Sequence, residues 1–385
     1  MLREMTNVVL VVAVMCACTS AAEVGLTLLT DEKALCLDGT PAGYYFQPAS
    51  SPESQTKWVI YLNGGGECDS EDSCVEATTN KLGSSKYFKS TEDASSWFFA
   101  SDYCKHNPDF CKFNHLYDPY CSQDLHSGQQ TEKNEWGVVF SGHHILTAIL
   151  DDMDKVGMKD ATEILITGAS AGGLGVWMNV DYIQKRYPEA KVTGVSIAGL
   201  YFYATYYNGV NATGPGTMAD FREAAWPNTY ALYDAYVDDS CATSQAFIEN
   251  PAACMLLNNS LPYIESDVFV VQAETDQVVL EGHDCFPGDY VTQKPERDFM
   301  TEWHNNMTIA LQPFVEQSSG RNERGLGAFA AACYTHTNFT SAYPIIQGLN
   351  MYQALHNFYF RTEEGLSQDD YVLIDDCGEL CNPTC

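Results

Sequence analysis

Basic residues are scarce in this sequence of 385 residues. It carries 20 lysines and arginines against 51 aspartates and glutamates, which gives a formal net charge of −31 at neutral pH. A field of that sign repels the phosphates of nucleic acids and the headgroups of anionic membranes. We therefore expect neither nucleic acid nor an anionic membrane surface as a partner.

Long apolar runs are also missing after residue 22. A transmembrane helix needs about 20 consecutive apolar residues, and no later stretch approaches that length, so we expect no membrane insertion. The one early apolar run, residues 8–17, follows Arg3 and precedes the small residues Ser20 and Ala22. This arrangement is typical of a signal peptide. We predict a signal peptide over residues 1–22 and a secreted, extracellular product.

Internal repeats, low-complexity segments and shifts in composition are absent too. The chain is 45% hydrophobic and 12% aromatic, which excludes disorder as its main state. Its length suffices for one large domain or two modest ones. Because nothing in the composition marks a boundary, we predict a single catalytic domain over residues 23–385.

Cysteine, in contrast, is plentiful, and secretion determines its expected chemistry. The signal peptide contains two of the 15 cysteines, so 13 remain, and in an oxidising compartment most form disulfides. Cys68 and Cys74 can close a small loop, and a bridge can hold the C-terminal cluster of Cys377, Cys381 and Cys385. Zinc is the alternative for that cluster, but the spacing is poor and no histidine pair is near. We expect no metal and no cofactor, and one unpaired sulfur. Glycosylation sequons consistent with secretion occur at Asn211, Asn258, Asn306 and Asn338.

Short apolar runs alternate with segments of helical periodicity. The runs predict strands at 58–62, 164–167, 192–197 and 268–272, and the periodic segments predict helices at 141–155 and 176–186. This alternation is typical of an α/β fold with a mainly parallel sheet and helices on both faces. Residues 76–130 are less regular, and we predict loops held by disulfides there.

A Gly-x-Ser-x-Gly pentapeptide stands between a predicted strand and a predicted helix. Gly168, Ser170 and Gly172 form this motif, which in α/β-hydrolases is the nucleophile elbow. The pentapeptide alone is common by chance, but here both flanking elements have the required type. We predict an α/β-hydrolase-like fold with Ser170 as nucleophile.

A serine nucleophile needs a histidine base and a carboxylate that orients the histidine. In this fold the chain order is serine, acid, histidine. Asp276 follows the predicted strand 268–272 closely, at a strand end where the acid belongs. Asp284 is the competing candidate.

Four histidines follow Asp276 in the chain. His336 comes after a stretch long enough for another sheet crossover, and a bridged Cys333 can stabilise its loop. His283 follows Asp276 too soon for a crossover, and we predict that His304 and His356 lie in helices. We predict His336 as the base, with the other three as alternatives.

The oxyanion formed during acyl transfer needs backbone donors from a second loop. Gly64, Gly65 and Gly66 directly follow the predicted strand 58–62. Glycines let N–H groups approach a tetrahedral intermediate without obstruction by side chains. We predict the N–H groups of Gly65, Gly66 and Ala171 as donors; a merely flexible turn is the alternative.

These motifs together resemble the family of secreted carboxylesterases that contains the pectin acetylesterases and Notum. The resemblance covers most of the mature chain and implies the triad Ser170, Asp276 and His336. Its motifs are Cys36-Leu-Asp-Gly-Thr-Pro, Leu62-Asn-Gly-Gly-Gly-Glu-Cys, Tyr120-Cys-Ser-Gln-Asp-Leu-His-Ser-Gly, residues 168–173, Asn179-Val-Asp, Asp276, Cys333-Tyr-Thr-His and Cys381-Asn-Pro-Thr-Cys.

The sequence combines features of both branches of that family. Residues 120–128 and 168–181 are more similar to Notum, which removes a fatty acyl group from Wnt proteins. The triple glycine and the C-terminal tail are more similar to plant pectin acetylesterases, which remove acetyl groups from cell-wall polysaccharide. Where Notum-type sequences have two aromatics beside the acyl pocket, this chain has Gly66 and Glu67.

These differences guide the expected substrate. An acid beside a long apolar chain is costly, so the resemblance and Glu67 together predict a short O-acyl ester. The net charge disfavours polygalacturonate, which is itself anionic. We expect an O-acylated extracellular glycan or glycoconjugate as the substrate. A Notum-like protein deacylase and a catalytically inactive glycan-binding homologue are the alternatives.

Overall fold

The computed structural model describes residues 23–94, 104–105, 107–212, 225–288, 294–316 and 324–385. The predicted signal peptide lies outside these residues. The strands within them are β1 (Glu23–Leu28), β2 (Gly43–Gln47), β3 (Lys57–Leu62), β4 (Thr91–Asp93), β5 (Asn114–Asp118), β6 (Glu163–Ala169), β7 (Lys191–Ile197), β8 (Asp267–Asp276), β9 (Leu326–Thr335) and β10 (Val372–Ile374). The helices are α1 (Glu71–Ala77), α2 (Gly142–Asp154), α3 (Ala171–Arg186), α4 (Ala225–Tyr233), α5 (Asp239–Ala242), α6 (Leu257–Ser260), α7 (Lys294–Val315), α8 (Met351–Tyr359) and α9 (Arg361–Glu364).

The described strands form one sheet in the order β10-β9-β8-β7-β6-β3-β5-β2-β1-β4. Neighbouring strands from β10 to β5 are parallel, whereas β2, β1 and β4 add an antiparallel edge. The predicted mainly parallel sheet is therefore confirmed.

Apolar side chains leave the sheet on both faces, because successive residues of a strand point to opposite sides. Ile60 belongs to a buried cluster with Leu146 of α2 and Leu174 of α3. Its neighbour Val59 belongs to a second cluster that contains Leu355 of α8. Each fully buried side chain of this size stabilises the fold by about 1.5–3 kcal/mol. Helices thus cover both faces, as predicted.

Two predicted helices differ from the structure at their first turn. The helix predicted from residue 176 begins at Ala171, because close packing on β3 requires glycines there that carry no apolar periodicity. The helix predicted from residue 141 begins at Gly142, and the Ser141 hydroxyl that precedes it donates to the Leu35 carbonyl at 2.6 Å and does not cap the helix.

Residues 76–130 were predicted as loops, but the structure has a strand of the central sheet within this range. They contain β5, which lies inside the sheet between β3 and β2. β5 begins with the polar residues Asn114 and His115, so it lacks an apolar run. Asn114 is buried, and its amide group donates to the carbonyls of Gln55 and Lys57 at 2.9 and 3.0 Å.

Six disulfides join twelve cysteines of the described residues. The predicted pair Cys68–Cys74 is one of them, and two bridges involve the C-terminal cluster. The pairs are Cys36–Cys121, Cys68–Cys74, Cys104–Cys111, Cys241–Cys254, Cys333–Cys385 and Cys377–Cys381. Cys285 is buried and unbridged, which accounts for the odd count. Over the ranges given above, no helix combines the length and the apolarity that a membrane span requires.

Candidate active site

The candidate site lies where the strand order reverses. The chain passes from β5, on one side of β3, to β6 on its other side. Leu62 at the end of β3 is in register with Gly168 near the end of β6, so the glycine loop and the predicted elbow emerge side by side. Such a switch point is where parallel sheets bind their ligands.

Ser170 stands on a strained turn between β6 and α3. Its φ of 58° and ψ of −122° lie in a region that costs a residue with a side chain about 1–3 kcal/mol. Close packing holds the turn: a Cβ at Gly168 would lie 2.4 Å from the Gly172 carbonyl oxygen, and one at Gly172 would lie 2.0 Å from that of Leu62. The small residues of the motif are therefore a steric requirement.

Asp276 and His336 are joined at the ends of the neighbouring strands β8 and β9. His336 Nδ1 lies 2.8 and 2.9 Å from the two carboxylate oxygens. Asp276 is fully buried and also accepts hydrogen bonds from Gln272 Nε2 at 3.0 Å and from the N–H groups of Val278 and Val279 at 3.0 and 3.2 Å. Both carboxylate oxygens face His336 Nδ1, so a neutral His336 that donates to Asp276 carries its proton on Nδ1.

The environment of His336 leaves its second nitrogen available as a base. Burial lowers the imidazole pKa, but the charge and hydrogen bond of Asp276 outweigh it and raise the pKa above the ordinary 6.5. Among the described residues, His336 Nε2 is buried and has no hydrogen-bond partner. A general base needs such a nitrogen, with a lone pair that faces the reacting group.

A cavity of about 520 Å³ brings the predicted residues together. Ser170 and His336 both line it, with the Gly64–Gly66 loop beside them and Asp276 behind His336. Its lining consists of Tyr61, Asn63, Gly64, Gly65, Gly66, Glu67, Ala169, Ser170, Val278, His336 and Thr337.

The competing candidates have other partners. Asp284 accepts a hydrogen bond from Trp303 Nε1 at 2.7 Å. His304 lies in α7 beside Glu274, and His356 lies in α8 beside Asp109. His283 is buried in a π-helical turn after β8. None of these side chains lines the cavity that contains Ser170.

Two residues that the sequence did not indicate contact the predicted triad. The hydroxyl of buried Tyr201 is hydrogen-bonded with Ser170, and burial raises the pKa of this phenol well above 10. Gln272 donates to Asp276 and accepts from the Leu200 N–H at 3.1 Å, so it connects the strand end to the segment after β7. No local pattern marks either residue.

The glycine loop is fixed by hydrogen bonds to its carbonyls. The Gly65 carbonyl accepts from Gln123 Nε2 at 3.2 Å, and the Gly66 carbonyl accepts from the Tyr120 hydroxyl at 2.8 Å. Because a trans peptide directs its N–H opposite to its C=O, the Gly66 N–H points away from Gln123. The Ala171 N–H begins α3, where intrahelical acceptors are lacking.

Glu67 places an acidic residue in the wall of the cavity. It is 6% exposed and lines the cavity beside Gly66. Its charge is among the causes that raise the pKa of buried Tyr201, Tyr120 and Tyr233, although burial is the largest. An apolar chain extending along this wall would pack beside a buried acid and not against apolar side chains.

Comparison with known proteins gives consistent results. The family described as Pectinacetylesterase matches residues 17–385. The chain is 28% identical over 379 residues to pectin acetylesterase 5 of Arabidopsis thaliana, covering 91% of this chain and 82% of that protein. It is 27% identical over 382 residues to palmitoleoyl-protein carboxylesterase notum1 of Xenopus laevis, covering 94% and 74%.

A solved structure of the Wnt deacylase Notum from Drosophila has a similar fold. The TM-score is 0.78, with 22% sequence identity, and the match covers 94% of this chain and 99% of that one. The α/β-hydrolase fold predicted from the elbow is thereby confirmed.

Proposed function

Because the chain belongs to the pectinacetylesterase family, we propose that it is a secreted serine carboxylic ester hydrolase that removes short O-acyl groups, acetyl above all, from an extracellular polysaccharide or glycoconjugate. One observation carries the proposal: Ser170 and His336 line a single cavity, and Asp276 binds the far side of the imidazole. Residues 23–385 would form the catalytic domain.

The residues have complementary roles in acyl transfer. Ser170 attacks the acyl carbonyl while His336 Nε2 takes the hydroxyl proton, and the same nitrogen then returns that proton to the leaving sugar oxygen. The N–H groups of Gly65, Gly66 and Ala171 stabilise the oxyanion. His336 Nε2 then deprotonates a water molecule, which attacks the acyl carbon; the bond between Ser170 Oγ and the acyl group breaks, the carboxylic acid leaves, and His336 returns the proton to Ser170.

Glu67 supports the choice of a short acyl group. A buried carboxylate opposes a long hydrocarbon chain, because each methylene gains its transfer free energy, about 0.8 kcal/mol, only in apolar surroundings. At these two positions of the described wall stand a glycine and an acid, in place of aromatic side chains. The net charge of −31 supports a substrate of low negative charge.

A Notum-like protein deacylase is the second candidate, and the fold shared with the Drosophila Wnt deacylase favours it. A series of p-nitrophenyl esters from acetate to octanoate separates the two. We expect kcat/KM to be highest for acetate and to fall beyond butyrate. An octanoate ester hydrolysed as efficiently as acetate would contradict the short-chain proposal.

Catalysis itself is tested with Ser170→Ala. We expect this variant to lose p-nitrophenyl acetate hydrolysis and labelling by a fluorophosphonate probe, with an unchanged melting temperature. Wild-type protein that folds but neither reacts with the probe nor cleaves esters would instead support an inactive glycan-binding homologue.

A further inference from the structure

A second aspartate–histidine pair lies beneath the glycine loop. Asp118 ends β5, and its carboxylate lies 3.3 Å from His126 Nδ1, with side chains that are 4% and 1% exposed. The other ring nitrogen of His126, Nε2, lies 2.9 Å from the Asn63 carbonyl oxygen. Asn63 directly precedes the glycine loop, so the pair reaches the backbone that carries the predicted oxyanion donors.

The two neighbours of this imidazole determine its protons. A carbonyl oxygen has no proton to give, so His126 Nε2 must donate to Asn63. A carboxylate is also an acceptor, so Nδ1 must carry a proton for its contact with Asp118 to be attractive. A neutral imidazole has one N–H and can satisfy only one of these acceptors. Both contacts are attractive only in the imidazolium form, in which the ring donates to Asn63 and forms an ion pair, without a hydrogen bond to Oδ2, with Asp118.

The loop is held at two points by neighbouring aromatic groups. His126 contacts the carbonyl of Asn63 at the start of the loop, and Tyr120 donates to the carbonyl of Gly66 near its end. The two rings stack with centroids 4.5 Å apart. Between these points Gly64 packs so tightly on the elbow that a Cβ there would lie 3.0 Å from the Ser170 Cβ. Movement of the loop therefore changes its position relative to the nucleophile.

We propose that His126 is a positioning residue for the oxyanion loop, and that its doubly protonated ring, paired with Asp118, fixes the Asn63–Gly64 peptide in the arrangement needed for acyl transfer. This inference rests on the proposed esterase function. The consequence is a loss of kcat at high pH, when the ring loses its second proton and one of its two contacts becomes repulsive.

The groups around His126 favour the charged ring. Burial opposes the charge, but Asp118, the Asn63 carbonyl and the buried Asp124 together raise the imidazole pKa above 6.5. Tyr120 stacks on the ring as a neutral phenol, because burial raises the pKa of Tyr120 well above 10. Helix α3 contributes Gly175 and Asn179 at this contact, and neither ionises. The second proton is therefore lost at a higher pH than from an ordinary imidazole.

Two neutral variants separate positioning from simple stabilisation. In His126→Gln the amide nitrogen takes the place of Nε2 and can still donate to the Asn63 carbonyl. In His126→Asn the shorter amide takes the place of Nδ1 and cannot reach that carbonyl. Both variants lose the charge. For p-nitrophenyl acetate at pH 7 we expect His126→Asn to lower kcat about tenfold with little change in KM, less than loss of a whole oxyanion donor. We expect His126→Gln to stay within about threefold of wild type.

The pH profile provides the second readout. We expect the alkaline fall in wild-type kcat to be absent in His126→Gln, and to begin at lower pH in Asp118→Asn, which removes the charge that holds the proton. Melting temperatures of all variants report on folding. Equal kcat values in the Gln and Asn variants, or an unchanged alkaline fall in His126→Gln, would overturn the inference.

A measurement without turnover distinguishes failure of this inference from failure of the proposed function. In Ser170→Ala protein, ¹⁵N NMR of the His126 ring shows whether both nitrogens are protonated at pH 7, and the amide signals of Gly64 to Gly66 report on the loop. We expect a doubly protonated ring and loop signals that shift when the ring titrates. A neutral ring at pH 7, or amide signals of the loop that do not shift when the ring titrates, would overturn the inference even in an active enzyme. If the wild-type protein is inactive, the NMR spectrum of the Ser170→Ala protein still decides whether the His126 ring is doubly protonated and coupled to the loop.

Discussion

Replacement of Asp276 by Asn would place an amide where every neighbour is arranged for a carboxylate. One carboxylate oxygen accepts from the N–H groups of Val278 and Val279, and the other accepts from Gln272. An Asn side chain keeps the first set by directing its oxygen there. Its NH₂ group then faces Gln272 and His336, so it can donate to His336 Nδ1. That contact forces the proton onto Nε2, the nitrogen that accepts the Ser170 proton in the proposed mechanism.

The expected loss follows from the wrong tautomer. In a serine hydrolase triad this substitution lowers kcat by about 10⁴, which corresponds to about 5.4 kcal/mol of activation free energy. We expect the same order for Asp276→Asn in p-nitrophenyl acetate hydrolysis at saturating substrate. The wild-type rate should rise with pH as His336 deprotonates, through an apparent pKa above 6.5, since Asp276 stabilises the imidazolium. In the variant this pKa should fall.

Asp284→Asn is the matched control. Asp284 is a buried aspartate that follows the same strand, and it was the competing acid, but it binds Trp303. An Asn oxygen can still accept from Trp303, so we expect kcat to stay within about threefold. If Asp276→Asn kept more than a tenth of wild-type kcat, or if Asp284→Asn were the more damaging change, the assignment of Asp276 would be wrong.

Three further predictions test the surroundings of the site. Glu67→Leu removes the buried carboxylate. We expect the ratio of kcat/KM for p-nitrophenyl octanoate to that for the acetate to rise at least tenfold, because each buried methylene contributes about 0.8 kcal/mol. An unchanged ratio would contradict the role of Glu67. Tyr201→Phe frees the Ser170 hydroxyl from a hydrogen bond worth about 1 kcal/mol, so kcat should rise about fivefold, whereas a hundredfold loss would make the phenol a transition-state donor. Removing the Cys333–Cys385 bridge, with its separation of 52 residues, by double substitution to Ala should lower the free energy of unfolding by about 4 kcal/mol on chain entropy, as urea denaturation measures.

Elements with a local apolar signal were predictable from the sequence. The strand predicted at 58–62 is β3 (Lys57–Leu62), and the helix predicted at 141–155 is α2 (Gly142–Asp154). β5 was not predictable, because its burial depends on hydrogen bonds from Asn114 to backbone some 57 to 60 residues away. A polar residue whose partners are distant in sequence carries no periodicity that reveals a strand.

In the candidate site, too, residues with a local sequence signal were predictable and residues without one were not. Ser170 was indicated by an elbow whose glycines are required by local sterics, and the loop 64–66 by its place after a strand. Tyr201 was not indicated, because it follows β7 and meets Ser170, which follows β6, only when those two strands pair in the sheet. Gln272 was not indicated either, because its contact with Asp276 depends on how the end of β8 folds. Residue type alone does not distinguish them from other buried polar side chains.

The two aspartate–histidine pairs show most clearly what a sequence leaves open. Asp276 with His336 and Asp118 with His126 combine the same side chains at carboxyl ends of the same sheet, and in both the carboxylate faces Nδ1. The difference lies in the second nitrogen. Within the described residues, Nε2 of His336 is unpartnered beside the Ser170 cavity, whereas Nε2 of His126 is bound to a backbone carbonyl. A lone pair that faces the cavity allows base catalysis, and a proton donated to the backbone allows only positioning. Chemical role is therefore determined by the atom opposite Nε2, which only the folded chain specifies.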